Sequence, residues 1–480
     1  MTAPGAPVDL LVLGGGTAGI VAAKTAVSLG ASTLLVERER TGGDCLWTGC
    51  VPSKALLAAA HQAAAARTAD RFGLEVTLRV DFARVMDRVQ QAIAEIAPID
   101  SPETLRAAGV PVRHGQGVFR GEGEVAVDGV PVRYRQAVLA MGSAPTIPPL
   151  PGLAEVDYLT SDSFWSLREA PRRLAVLGAG SIGCELGQAM ARLGSEVTLV
   201  ENAERILPRE DPAAAAAVAR SLRCDGVRVQ TGARVAAVHA APAEGAGAGR
   251  LQFEDGREIA FDRLLVAVGR TPRTSGAGLE RIGVACDDRG HIRVDGHLRT
   301  TNPRIWAAGD LTGHPQFTHV AASHGSLAAS NAVLGVRRRA ETTVPRVTYT
   351  HPEVAALGAA TDGSDLRVVT REHTDVDRAV TEGETDGFTR LAVDSSGRVR
   401  GATIVGPRAG ETLGEAALAV ARGMRTRDLA GLMHPYPTWN DGLGGAAIAD
   451  ARTQLDAPLA RRAVRLIVGS RRRWLDRRAT

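Results

Sequence analysis

The sequence predicts an α/β protein in which one supersecondary unit, a strand followed by a glycine loop, a helix and a second strand, occurs twice. Apolar strands run from Val8 to Leu13 and from Leu174 to Leu177. Each leads into a glycine-rich loop and a helical pattern, and each unit closes with a second strand that ends in a glutamate. Strands that alternate with helices in this way are typical of parallel sheets with helices on their faces.

The two loops share the spacing of a dinucleotide-binding fingerprint. The residues of the two copies are Gly14, Gly16, Gly19 and Glu37 in the first, and Gly178, Gly180, Gly183 and Glu201 in the second. In both copies 23 positions separate the first glycine from the glutamate. The glycines allow a tight turn and a close approach to a pyrophosphate at the helix N-terminus, and the acid accepts hydrogen bonds from a ribose. The sequence therefore predicts two Rossmann-like dinucleotide sites.

The acidic residue of the second copy indicates which nicotinamide nucleotide is preferred. A carboxylate at the position of Glu201 would repel the 2′-phosphate of NADP, whereas an arginine there would bind it. Arg205 lies four positions further on, so NADPH stays open as an alternative. We expect NADH to be favoured over NADPH.

Composition and charge exclude several classes of protein. Of 480 residues, 44% are hydrophobic and 23% are charged, which is ordinary for a globular protein, and no apolar run is long enough to span a bilayer. The N-terminus shows no signal-peptide pattern, so we expect a cytoplasmic location. Residues 453–480 contain eight Arg and two Asp, which gives +6, and the net charge of +4 leaves about −2 for the rest. Nucleic-acid binding is therefore not expected.

Two cysteines directly after the first unit indicate redox chemistry. Cys45 and Cys50 are separated by four residues, which is not a metal-binding spacing, and no second Cys/His pair completes a zinc site. Of 57 basic residues only Lys24 and Lys54 are lysines, and Lys54 follows the cysteines closely. We expect a redox-active pair and no metal site. The remaining cysteines, interpreted as structural, are Cys184, Cys224 and Cys286.

Residues 42–54, which contain the cysteine pair, resemble the signature of the class I pyridine-nucleotide disulfide oxidoreductases. Segments 140–145, 268–272, 305–310 and 349–354 extend the resemblance over nearly the whole chain. It implies an α/β fold with two Rossmann-like FAD- and NAD(P)-binding domains and a C-terminal α/β dimerisation domain. The expected boundaries are 1–143 and 268–340 for a discontinuous FAD domain, 144–267 for the NAD(P) domain, 341–452 for the interface domain and 453–480 for a basic tail.

The resemblance also implies roles for individual residues. Cys50 would face the flavin of FAD, Cys45 would exchange with the substrate, and Lys54 and Glu185 would form an ion pair beside the flavin. The cofactor-binding residues implied are Gly14, Gly16, Gly19, Glu37, Gly43, Lys54, Gly117, Gly142, Asp310, Gly178, Gly180, Gly183, Glu201 and Gly269.

The C-terminal end of the site departs from the family. Its disulfide reductases place a histidine before Pro-Thr and a glutamate five positions later, contributed by the partner subunit of a homodimer. Here Tyr436 precedes Pro437 and Thr438, and Asp441 occupies the glutamate's position. A tyrosine, with an ordinary pKa of about 10, is a poor base at neutral pH. Mercuric reductases resemble this chain in having the tyrosine. His434 is the alternative acid, unless it only packs or caps a helix.

Three functions agree with these residues. The leading hypothesis is a mercuric-reductase-like, NAD(P)H-dependent reductase of a small acceptor, which is a metal ion, an oxidant or a quinone. The sequence has no cysteine after Cys286, and so it lacks the C-terminal cysteine pair of the mercuric reductases. The second hypothesis is a dihydrolipoamide dehydrogenase with an altered base. The third is a flavin-based redox sensor that docks on a membrane or another protein.

The arginine-rich tail allows two interpretations. Residues 457–478 mix apolar side chains with clustered arginines, a pattern typical of a basic amphipathic helix on an anionic membrane. Gly469 interrupts the pattern and favours a solvated or dimer-packed tail. We expect at most a weak contact with a membrane surface.

Overall fold

The computed structural model describes residues 6–241, 247–359, 366–455 and 458–479. The chain divides into two compact units, one made of Met1–Leu207 and Leu222–Thr342 and the other of Pro208–Ser221 and Thr343–Thr480. Both units combine helices with sheets, which confirms the predicted α/β class. The predicted domain boundaries stay a prediction.

The chain begins with elements that surround the first glycine loop and the cysteines. These elements are β1 (Val8–Leu13), α1 (Thr17–Ser28), β2 (Thr33–Glu37), α2 (Gly43–Trp47), α3 (Cys50–Arg67), α4 (Phe82–Ile96), α5 (Pro102–Ala107), β3 (Val112–His114), β4 (Gly117–Gly121), β5 (Glu124–Val127), β6 (Val130–Leu139) and β7 (Ser143–Pro145).

The second glycine loop lies within the next group of elements. These elements are β8 (Arg173–Leu177), α6 (Ser181–Arg192), β9 (Glu196–Val200), α7 (Pro212–Cys224), β10 (Arg228–Gln230), β11 (Val235–Ala240), β12 (Gly249–Phe253), β13 (Glu258–Phe261), β14 (Arg263–Val266), β15 (Arg270–Pro272), β16 (Ile305–Ala307) and α8 (Thr318–Leu334).

Two sheets carry the two glycine loops in the first unit. The larger sheet has the order β3-β2-β1-β6-β5-β4, and β16 also pairs with β6. It is mixed, since β5 is antiparallel to both β4 and β6. Strand β1 is parallel to both β2 and β6, and Leu10, Leu11 and Val12 are fully buried, as expected for a central strand covered on both faces. The smaller parallel sheet has the order β10-β9-β8-β14. Each glycine loop therefore follows a central strand of its sheet.

The second unit contains an antiparallel sheet with helices. Its elements are β17 (Arg346–Thr348), β18 (Glu353–Gly358), β19 (Arg367–Glu372), α9 (Asp377–Glu382), β20 (Phe388–Val393), β21 (Val399–Gly406), α10 (Ala409–Ala421), α11 (Thr426–Ala430), α12 (Asp441–Leu455) and α13 (Pro458–Ala479). The strand order is β17-β18-β21-β20-β19. Leu391 and Ile404 of the sheet share a core with Leu413 of α10 and Leu443 of α12.

The arginine-rich segment forms helix α13. The helix continues through Gly469, where the sequence pattern suggested an interruption, because a single glycine costs a helix only about 1 kcal/mol. Among the described residues, none of the helices is both long and apolar enough to cross a membrane.

Candidate functional site

The first glycine of each loop adopts the same turn with a positive φ. Gly14 has a φ of +109°, and a Cβ atom there would lie 2.3 Å from the backbone oxygen of Ala140. Gly178 has a φ of +102°, and its Cβ would lie 2.5 Å from the oxygen of Ala267. Both positions therefore require glycine, for the conformation and for the close approach of the neighbouring strand.

The two glutamates also occupy equivalent positions. Oε2 of Glu37 accepts a hydrogen bond from the backbone N–H of Gly15 at 2.5 Å. Oε2 of Glu201 accepts one from the N–H of Ala179 at 2.8 Å. Each carboxylate thus lies beside the glycine loop of its own strand–loop–helix–strand repeat, where a nucleotide ribose would be bound.

The helix N-termini that follow the loops suit a pyrophosphate. Helix α1 begins after Gly16 and helix α6 after Gly180, and neither glycine provides a side chain to cap the first-turn N–H groups. Neither first turn contains an acidic residue. Exposed N–H groups at a helix N-terminus bind anions, so both loops fit a dinucleotide.

A close backbone contact joins the first loop to the cysteine-bearing segment. Gly43 has a φ of +62°, and a Cβ there would lie 2.6 Å from Cα of Gly16. A side chain at this position would fill the space beside the N-terminus of α1. The residues present therefore fit the FAD that the resemblance implies.

A charged network links four segments near the cysteines. Ser143 donates a hydrogen bond to Asp310 at 2.6 Å and accepts one from Nε of Arg270 at 2.7 Å. Arg270 also forms an ion pair with Asp44, which precedes Cys45 in the sequence. Burial raises the pKa of the Asp44 carboxyl, and the charge of Arg270 opposes that change. Arg270, which is 15% exposed, thus connects Asp310 to the cysteine segment.

The two cysteines face each other as free thiols. Cys45 lies in α2 and Cys50 is the first residue of α3, and their side chains are in hydrogen-bonding contact. Sγ of Cys50 also lies 3.2 Å from Oγ1 of Thr318, the first residue of α8.

The environment of the two thiols changes their pKa values in opposite directions. The hydrogen bond from Cys45 lowers the pKa of the Cys50 thiol to about 6, with further contributions from Thr318 and Lys54, although burial acts in the opposite direction. The same hydrogen bond and burial raise the pKa of the Cys45 thiol. At neutral pH the reduced pair therefore holds a thiolate at Cys50 and the proton at Cys45.

Lys54 and Glu185 form an ion pair between helices α3 and α6. Nζ of Lys54 lies 2.9 Å from Oε2 of Glu185, whose side chain is 8% exposed, while that of Lys54 is 36% exposed. Lys54 is one helical turn from Cys50, so its charge acts on the sulfur. The pair connects the cysteine-bearing segment with the helix of the second glycine loop.

In the second unit, Tyr436 contacts an acid that the sequence analysis did not single out. The side chain of Tyr436 is 72% exposed, and its hydroxyl donates a hydrogen bond to Asp377 at the start of α9. Asp441 instead accepts a hydrogen bond from the backbone N–H of Thr438 at 3.1 Å, at the start of α12. The hydrogen bond to Asp377 raises the pKa of the Tyr436 hydroxyl.

His434 is held inside the second unit. Its Nε2 lies 2.9 Å from Oε1 of Glu415, and Oε2 of Glu415 accepts a hydrogen bond from Asn440. A Cβ on Gly444 would lie 3.2 Å from its Nδ1, so the other ring nitrogen faces helix α12. With 15% of its side chain exposed, His434 links the loop before α12 to helix α10.

The structure brings most of the predicted residues of the first unit together around the two loops and the cysteines. Gly142 and Gly269 adjoin the paired strands β7 and β15, and Gly117 begins β4 against Leu13. Tyr436, Asp441 and His434 belong to the second unit. Residues that sequence reasoning missed are Thr318, Arg270 and Asp377.

Comparison with known proteins agrees with this geometry. Residues 8–325 match the family described as pyridine nucleotide-disulphide oxidoreductase, and residues 344–447 match its dimerisation domain. The mercuric reductase of Streptomyces lividans is 37% identical over 456 residues, which cover 92% of this chain and 95% of that protein. The dihydrolipoyl dehydrogenase of Thermus scotoductus is 35% identical, covering 92% and 97% of the two chains.

A solved structure shows the same fold. The Cu(II) complex of the HOCl-induced flavoprotein disulfide reductase RclA from Escherichia coli aligns with a TM-score of 0.81 and 27% identity, covering 91% of this chain and 99% of that chain. The family matches include a dimerisation domain, which supports a homodimer. The chain therefore belongs to the pyridine nucleotide-disulphide oxidoreductases and is an FAD-containing oxidoreductase.

Proposed function

We propose that this protein reduces a small acceptor at the expense of NAD(P)H: a metal ion or an oxidant through the Cys45–Cys50 pair, or a quinone directly from the flavin. The observation that carries the proposal is the contact of the Cys50 thiol with the Cys45 thiol and with Thr318, one helical turn from Lys54; this arrangement lowers the pKa of the Cys50 thiol to about 6. When bound, FAD supplies the two-electron carrier between the nicotinamide nucleotide and the disulfide. We assign Asp310 and the first glycine loop to FAD, and the second loop to the nicotinamide nucleotide.

The two cysteines have different tasks in this proposal. Two electrons and two protons convert the disulfide into the dithiol, and loss of one proton leaves a thiolate at Cys50. Cys45 holds the remaining proton and faces the acceptor. A soft metal ion would bind the sulfurs as thiolates and displace that proton.

The state of Tyr436 supports a small acceptor over dihydrolipoamide. A dihydrolipoamide dehydrogenase needs a base that takes a proton from the substrate thiol. A phenol with an ordinary pKa of about 10 is already protonated at neutral pH, and Asp377 raises the pKa of the Tyr436 hydroxyl further, so Tyr436 is a hydrogen-bond donor and not a base. His434 faces Glu415 and Gly444 inside its own unit. We therefore place dihydrolipoamide dehydrogenase second, although a relative at 35% identity has that name.

Glu201 supports NADH as the preferred nucleotide. Its carboxylate accepts hydrogen bonds from the backbone N–H groups of Ala179 and Ala203, which hold it at the glycine loop. A fixed negative charge there disfavours the 2′-phosphate of NADPH. Arg205 lies nearby in sequence, so the preference is a matter of degree.

A side-by-side acceptor comparison tests the proposed function. Purified FAD-loaded protein should oxidise NADH faster than NADPH, and with Hg(II), a quinone or a thiol oxidant at least about tenfold faster than with lipoamide. Initial rates of NAD(P)H absorbance loss measure this ranking. Lipoamide as the fastest acceptor would contradict the assignment, and so would negligible turnover with the whole panel, which the redox-sensor hypothesis predicts.

Tyr436→Phe tests whether the phenol contacts the acceptor. Removing the hydroxyl should lower kcat/KM for thiol-dependent acceptors by about tenfold, the effect of one hydrogen bond to a polar or charged group. Asp377→Asn should retain the phenol but lower its pKa, and so move the alkaline limb of the pH profile to lower pH. Tyr158→Phe is the matched control in the first unit. An unchanged kcat/KM and pH profile in both variants would exclude this role.

A further inference from the structure

Helix α13 is an addition beyond the part of the chain that matches the family. The match to the dimerisation domain ends at residue 447, and α13 covers Pro458–Ala479. Large apolar side chains along it are exposed, with Leu459 at 83%, Leu466 at 64% and Ile467 at 68%. Within the described part of the chain the helix thus projects apolar side chains into solvent, and a stable helix of this kind needs a surface to cover them.

The side chains of α13 separate into two faces. At 3.6 residues per turn, the apolar side chains occupy one broad arc, and five of the helix's eight arginines occupy the opposite arc. The apolar arc contains Leu459, Ala463, Val464, Leu466, Ile467, Val468, Trp474 and Leu475, and the basic arc contains Arg461, Arg462, Arg465, Arg472 and Arg473.

The other three arginines, Arg471, Arg477 and Arg478, fall within the apolar arc, and two of them lie against Trp474. The guanidinium groups of Arg471 and Arg478 lie 4.0 and 4.2 Å from the ring centroid of Trp474. Arginines stacked on an indole cover its faces with their own apolar surface and keep their charge at the edge. A tryptophan flanked by arginines is a typical side-chain group at a membrane–water interface.

We propose that α13 docks in the plane of an anionic phospholipid surface. The apolar arc would enter the headgroup region, and the basic arc would contact lipid phosphates, which match the charge of the arginines. Arginines occur from Arg461 to Arg478, along nearly the whole helix. Because charged side chains are costly inside a bilayer, the helix would lie along the membrane surface and not span the membrane. The proposal is independent of the acceptor that the cysteines reduce.

Charge favours the lipid over a second copy of the helix. Residues 453–480 hold eight Arg and two Asp, so pairing α13 with itself would bring two segments of charge +6 together. Like charges at close range disfavour such pairing, whereas an anionic surface is attracted by the same charge.

Vesicle co-sedimentation of the full-length, FAD-loaded protein tests the proposal. We expect binding to vesicles of phosphatidylglycerol and phosphatidylcholine, little binding to phosphatidylcholine alone, and release at high salt. Arg465→Gln/Arg472→Gln/Arg473→Gln should weaken partitioning at least about tenfold. Arg120→Gln/Arg133→Gln/Arg289→Gln removes the same charge from exposed positions elsewhere and should bind as the unchanged protein does.

A second variant separates lipid docking from self-association. Leu466→Asn/Ile467→Asn should abolish vesicle binding and leave NADH oxidation and the dimer mass by light scattering unchanged. No binding to anionic vesicles by the unchanged protein would overturn the proposal. A lower oligomeric mass in this variant, or equal losses in the two arginine variants, would overturn it as well.

Discussion

Replacing Cys45 by serine is expected to abolish turnover of thiol-dependent acceptors and to preserve direct reduction of quinones. Serine has the size and hydrogen-bonding capacity of cysteine but cannot form the disulfide with Cys50, so electrons cannot reach an acceptor through sulfur. Loss of a residue that forms a covalent bond in the reaction typically costs more than about 10³-fold in rate. Rates of NADH oxidation with each acceptor, measured on the FAD-loaded variant, test this prediction.

The matched control for this variant is Cys224→Ser. Cys224 is an exposed cysteine at the end of α7, and we interpret it as having no role in the reaction. Its replacement should leave every rate within about twofold of the unchanged protein. If Cys45→Ser retained its rates with Hg(II) or thiol oxidants, those acceptors would be reduced without the cysteine pair, and the proposed function would be wrong in its main point.

The fold was predictable because its determinants are local. In each copy of the strand–loop–helix–strand repeat, the strand, the glycine loop, the helix and the glutamate lie within about 30 consecutive residues, the length of a βαβ segment. Gly14 and Gly178 require glycine for a positive φ, a constraint that is visible in the sequence as an invariant spacing between two copies. Cys45 and Cys50 were predictable as a redox pair for the same reason, because only four residues separate them in the sequence.

The rest of the site depends on contacts between residues that are distant in sequence. Thr318 lies 268 positions from Cys50, and Asp377 lies 59 positions from Tyr436. A threonine at a helix start and an aspartate at another have ordinary local explanations, as first-turn residues that favour helix formation. Only the folded structure brings Thr318 to Cys50 in the first unit and Asp377 to Tyr436 in the second unit.

The loop before α12 shows that a residue's position in a motif does not by itself give its contacts. Asp441 lies five positions after Tyr436, at the position of the family's glutamate, and this assignment stays a prediction. In the structure the carboxylate of Asp441 accepts the N–H of Thr438, because an aspartate at a helix N-terminus satisfies nearby backbone donors. The acid that contacts Tyr436 is therefore Asp377, on another helix.

Replacing Lys54 by methionine is expected to destabilise the fold and to raise the pKa of the Cys50 thiol. Glu185 is 8% exposed, and the variant would remove the ammonium group that lies 2.9 Å from its carboxylate. Breaking a buried ion pair costs about 3–5 kcal/mol, and the partial exposure of Lys54 reduces this to about 2–4 kcal/mol. Urea unfolding monitored by circular dichroism measures the loss. Lys24→Met, at the chain's other lysine, is the matched control.

The two members of the pair should act on Cys50 in opposite directions. Lys54 lowers the pKa of the thiol and Glu185 raises it, so Lys54→Met should move the pKa upward from about 6 and Glu185→Leu should move it downward. Below its pKa the sulfur is protonated and unreactive, and above it the thiolate reacts, so the midpoint of the alkylation rate against pH reports the pKa directly. Measuring this on the Cys45→Ser background isolates Cys50, and because Cys45 is the main cause of the low pKa, both shifts are measured relative to Cys45→Ser alone. A common shift in both variants, or none in either, would mean that the pair only stabilises the helices and does not tune the sulfur.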